Sequence, residues 1–168
     1  MTAINKATVS SDAKNLAVFM QAVLDQVVSS YASYNMPLPS RKYWTLGAPA
    51  VDCEQVVVSL IQMYVGAPGD EATAPRRCSD PRSATINVGV SRQIPTVGQN
   101  GRAPSAESIE DYAEISAYDA WILLDSAAQL DTWEPGGGFG VGVIATVEVN
   151  EPQGGYQTVT LTLTAAIP

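Results

Sequence analysis

An α+β fold, with two long helices packed on a mainly antiparallel sheet in the order α-β-β-β-α-β-β, follows from three features of the chain. Two long segments repeat their apolar residues with a helical period. Two later segments alternate apolar and polar residues, as half-buried strands do. Breaks rich in proline and glycine separate these segments without any internal repeat or clear linker, so residues 1–168 are expected to form a single domain.

The first helix is "SSDAKNLAVFMQAVLDQVVSSYASY". Ala13, Leu16, Ala17, Met20, Val23, Leu24, Val27 and Tyr31 fall on one face. Ser10 or Ser11 can cap it, with Asp12 in the first turn. The two prolines of "NMPLPS" end it. "KYWTLG" is a short strand, rich in aromatic and β-branched residues. "CEQVVVSLIQMYVG" is apolar over most of its length, so period alone does not separate helix from strand. Its valines and the flanking "GAP" and "GAPG" favour a strand.

A polar loop with three prolines, "APGDEATAPRRCSDPR", leads to "SATINVGVSRQIP". There Ala84, Ile86, Val88 and Val90 share one face. The two strands should form a long hairpin with a large loop at its tip. Pro104 and Ser105 or Ser108 then open a second helix, "AESIEDYAEISAYDAWILLDSAAQLD". Its expected face is Ile109, Tyr112, Ala113, Ser116, Ala120, Leu123, Leu124 and Ala127, widened by Trp121 and Ile122. "WEPGGGFGVG" breaks the chain before the strands "VGVIATVEVN" and "YQTVTLTLTAAI". In the last strand Val159, Leu161 and Leu163 face inward and the threonines outward.

The 168 residues hold 46% hydrophobic and 15% charged residues, the composition of a globular protein. No apolar run reaches the roughly 20 residues of a membrane span. The first fifteen residues lack the apolar core of a signal peptide, so synthesis in the cytoplasm is expected. Residues 1–102 hold nine bases and seven acids, whereas residues 103–168 hold ten acids and no base; together they make the net −8. Either the acids simply keep the surface solvated, or two complementary faces suit contact between copies of the chain. A pI near 4.3 argues against binding nucleic acid through a general basic surface.

The chain has no histidine. Ser-His-Asp and Cys-His catalysis are therefore excluded, and two cysteines alone cannot close a structural zinc site. "GGGFGVG" follows a helix and opens a strand, the reverse of a phosphate-cradling loop. Glu107, Glu110, Asp111 and Glu114 could bring carboxylates together at helical spacing for a divalent cation, although a solvated or docking face explains them better. Cys53 and Cys78 fit free thiols in a reducing compartment. A disulfide between them needs the loop to fold back across the hairpin.

Three stretches together carry a resemblance: "CEQVVVSLIQMYVGAPG", the loop and strand "RRCSDPRSATINVGVSRQIP", and the acidic helix "SAESIEDYAEISAYDAWILLDSA". Their order resembles tail terminator proteins of actinobacterial (mycobacteriophage-like) siphophages, similar in role to the lambda-type tail terminator, over roughly residues 10–168. The most specific part is Cys-Glu-Gln before one strand, Cys…Pro-Arg before the next, and then Arg-x-x-Pro.

The resemblance implies a non-enzymatic structural virion protein, an α+β subunit whose hexameric ring caps the bacteriophage tail tube and serves head-tail joining. Its expected partners are copies of itself, the major tail tube protein and the head-to-tail connector or stopper. DNA would pass through the lumen without specific binding. The expected location is the viral tail or neck of the virion, with no cofactor, no metal, no catalytic residue and no membrane. Arg76, Arg77, Arg82 and Arg92 are then candidate contacts to Glu107, Glu110, Asp111 and Glu114 of a neighbouring copy. The alternatives are a head-to-tail stopper or other connector, a small-ligand module using Trp44, Trp121 and Trp133, and a histidine-free enzyme using the carboxylate patch.

Overall fold

The computed structural model describes residues 11–69, 82–97, 101–131 and 144–167. Helix α1 (Ser11–Ser33) precedes strands β1 (Arg41–Leu46), β2 (Gln55–Val65) and β3 (Arg82–Gln93); helix α2 (Ala106–Asp131) precedes β4 (Ile144–Val149) and β5 (Tyr156–Ile167). The class is α+β in the expected element order. The strands form one mixed sheet in the order β1-β2-β3-β5-β4, and both helices lie on the same face of it.

Helix α1 starts at Ser11, so a cap at Ser10 falls outside the described residues. Its end is set before the prolines. Asn35 takes a left-handed φ of 53°, the Met36 N–H donates to the Tyr31 carbonyl at 3.0 Å, and the Asn35 N–H donates to Ala32 at 3.1 Å. This pair of bonds closes the last carbonyls of the helix, and asparagine tolerates the left-handed turn. At the start of α2, the Ser105 hydroxyl accepts the Ser108 N–H at 3.2 Å, which makes Ser105 the cap.

β2 and β3 form the expected antiparallel hairpin, with a register shift between Leu60 and Gln62. β5 pairs along the whole of β3, from Arg82 opposite Ile167 to Gln93 opposite Tyr156, and carries β4 on its other side. The exception to the antiparallel pattern is β1, which runs parallel to β2. Residues 47–54 make that return without a helix. Eight extended residues reach roughly 26–29 Å, enough to run back along a six-residue strand of about 20 Å.

The core lies between the sheet and the two helices. In one register row Val58, Val88 and Leu161 are fully buried, and Val56, Val90 and Val159 make the next row. From α1 come Phe19, Met20, Val23, Leu24, Val27 and Tyr31. Each such side chain contributes roughly 1.5–3 kcal/mol through burial. The opposite face of the sheet is polar. Its rows read Gln55-Ser91-Thr158 and Ser59-Asn87-Thr162-Thr146.

The buried face of α2 is rotated from the expected one. Ser116, Asp119, Ile122, Leu123, Ser126, Ala127 and Leu130 are buried, whereas Ile109, Ala113 and Leu124 are exposed. The physical reason is Asp119, which partners outside the helix draw inward. Ser116 and Ser126 satisfy their hydroxyls on the carbonyls of Tyr112 and Ile122 one turn back, so small polar residues can be buried there.

Candidate assembly surfaces

Arg92 was a candidate contact between subunits; the structure places its charge inside its own chain. Its Nε donates to Asp119 Oδ2 at 2.6 Å and its Nη2 to Asp119 Oδ1 at 2.9 Å. Nη2 also donates to the Pro37 carbonyl at 2.8 Å, and Tyr31 Oη donates to Asp119 Oδ1 at 2.8 Å. β3, α2 and α1 thus meet at one carboxylate, and the segment after α1 joins them at the Arg92 guanidinium. The Asp119 side chain is 1% exposed and that of Arg92 12%. A buried carboxylate needs such a partner, and the paired geometry of the guanidinium supplies it. Burial and then the nearby Asp119 charge push the Tyr31 phenol far above its usual range. Arg92 stays charged: bonds from Asp119 raise its pKa although burial opposes this. The sequence offered one signal for this cluster, a lone acid inside the apolar run "AYDAWILL".

The outward face of α2 is a different kind of surface. Glu107, Glu110, Asp111 and Glu114 are all exposed along its first half. Farther on, Tyr118, Trp121 and Leu124 are exposed, Trp121 by 65%. The Tyr118 hydroxyl donates to Glu114 at 3.0 Å, which raises its pKa. The seam between α1 and α2 is bridged by Gln26 donating to Gln129 at 2.6 Å and by Tyr34 donating to Asp125 at 3.2 Å. The acids do not converge as a cation site: among the described residues, no three Cys, Asp or Glu side chains group in a way that could hold a metal ion.

Of the other candidate contacts, Arg82 opens β3 and is exposed, while Arg76 and Arg77 lie outside the described residues. So does Cys78, and with it the possible Cys53–Cys78 disulfide. Cys53 stands just before β2, at the end of the hairpin away from its connecting loop. Arg41 Nη1 reaches both Cys53 Sγ at 3.1 Å and Asp52 Oδ1 at 2.8 Å, and the guanidinium lies 5.1 Å from the centre of the Tyr43 ring.

The polar face of the sheet holds a groove of about 360 Å³ between the 47–54 return and the β4–β5 turn, floored by Val57, Asn87, Gly89, Thr158 and Thr160. Its polar groups are largely spent on one another. Ser91 and Thr158 share a hydrogen bond of 2.8 Å, Thr162 donates to Asn87 at 3.0 Å, and Asn150 donates to Thr160 at 2.6 Å. Neither Trp44 nor Trp121 lines this groove, and Trp133 lies outside the described residues. No described helix is long and apolar enough to cross a membrane. No protein-family model matches the chain, and no curated protein is significantly similar to it.

Proposed function

We propose that the protein is a structural virion subunit, a tail terminator whose ring of six copies caps the tail tube and joins it to the connector on the head side. The observation that carries this reading is the outward face of α2. It combines four exposed acids with an uncovered apolar patch at Tyr118, Trp121 and Leu124. Aromatic side chains exposed beside a charged rim suit a protein–protein joint. The base-free segment 103–168 and the nine bases of residues 1–102 give complementary charge for a heterologous contact that closes by rotation. With Arg92 paired to Asp119 inside its own chain, the arginines we assign to the contact with this α2 face are Arg76, Arg77 and Arg82. The role is non-catalytic and needs no metal or cofactor.

The groove on the sheet supports a ligand-binding role less well, because its hydroxyls and amides already pair among themselves. The direct test adds purified protein to purified tail tubes and measures particle mass and the occupancy of tube ends. Rings at one end of each tube are expected. Protein that stays monomeric and leaves both ends bare would contradict the reading.

A further inference from the structure

We infer that neighbouring copies join through the edges of their sheets, β4 of one copy pairing antiparallel with β1 of the next. The inference rests on the ring reading above and names the joint that closes it. β1 and β4 are the two ends of the sheet, and among the described residues no strand pairs with the outer edge of either. Each edge presents a row of backbone donors and acceptors that a further strand would satisfy.

Strand sense permits the match. β1 is parallel to β2, and each later neighbour in the sheet is antiparallel, so β4 runs opposite to β1. Rotation about an axis along the strands preserves these directions. It therefore brings β4 against the next β1 as an antiparallel pair. Both strands are six residues long.

Side chains give the pairing its partner and register. β1 carries Arg41 and Lys42 and no acid; β4 carries Glu148 and no base. Arg41 and Glu148 both project from the polar face, since their rows contain Gln55-Ser91-Thr158 and Val57-Gly89-Thr160 respectively. Setting Arg41 opposite Glu148 places Thr45 opposite Ile144 on that face. On the other face Trp44 meets Ala145 and Lys42 meets Val147. Trp44 and Ile144, both exposed in the single chain, become covered. Pairing β1 with β1, or β4 with β4, concentrates like charge at one seam, which selects the heterologous arrangement.

The test uses full-length chains in which Cys53 and Cys78 are replaced by serine. One carries Thr45→Cys and the other Ile144→Cys, and both are oxidised on tail tubes. A disulfide-linked dimer is expected only when the two are mixed, and a chain carrying both substitutions should give a ladder of linked subunits. Rings of the expected mass without mixed dimers would overturn the edge pairing and leave the ring reading standing. Either variant linking to itself would also overturn it. Protein that never forms rings would overturn both. If the cysteine chains do not fold, charge exchange keeps the proposal testable. Arg41→Glu alone should raise the concentration for half-assembly at least about tenfold, and adding Glu148→Arg should restore it; an Arg41→Glu chain that assembles normally would contradict the pairing.

Discussion

Arg92 on β3 grips Asp119 on α2 through two hydrogen bonds, of 2.6 and 2.9 Å, in a nearly solvent-free position. The pair ties the sheet to the helix layer, and Tyr31 brings α1 to the same carboxylate. Breaking one side leaves a charge without its partner in the interior. Asp119→Ala should therefore cost about 3–5 kcal/mol of stability. Replacing both ends by apolar residues, Arg92→Met with Asp119→Leu, should recover much of it. Urea unfolding of the single and double variants checks this; a loss under about 1 kcal/mol for Asp119→Ala would show that the pair is solvated.

The same cluster sets an alkaline limit. The Tyr31 phenol holds its proton more tightly in the fold than in the unfolded chain, where its pKa is about 10. The unfolded state thus releases the proton first as pH rises. The resulting stabilisation is complete below about pH 10 and falls above it. Tyr31→Phe should flatten the decline of stability with pH in that range. Some slope should remain, because Tyr112, through burial, and Tyr118, through Glu114, are shifted the same way. Melting temperatures measured between pH 8 and pH 11 decide it; an unchanged slope in Tyr31→Phe would contradict the assignment.

Trp121 separates folding from assembly. Its side chain is 65% exposed and lies outside the core. Trp121→Glu should change stability by no more than about 0.5 kcal/mol. It should nevertheless prevent ring formation on tails. A variant that folds and assembles normally would remove this patch from the joint.

Gly89 tests how tightly the polar face is packed. A Cβ there would lie 3.2 Å from Thr158 Cγ2 and 3.6 Å from Val57 Cγ1. Gly89→Val should cost about 1–3 kcal/mol, as overpacking does. Urea unfolding measures the loss, and a neutral outcome would mean that β5 shifts freely against β3.

Where local pattern decides structure, the sequence was legible. α1 buries Met20, Val23, Leu24, Val27 and Tyr31 as their spacing implies, and β5 alternates Val159, Leu161 and Leu163 inward. β2 was ambiguous because its first half is buried on both faces, so Val56, Val57 and Val58 show no period. The parallel pairing of β1 was hidden because its return contains no helix. The rotated face of α2 and the internal role of Arg92 share one cause. Arg92 and Asp119 are 27 positions apart, and only the fold brings them together. Read singly, one is a surface base and the other a surface acid. The groove on the polar face was equally hidden, since it arises from the 47–54 return crossing a strand row of serines and threonines.

A reconstruction of the virion neck tests the central claim most directly. The account predicts six copies of this chain around the tail axis at the head-proximal end of the tube, with α2 of each copy against its neighbour. Isolated copies off the axis, or a neck ring built without this chain, would contradict it.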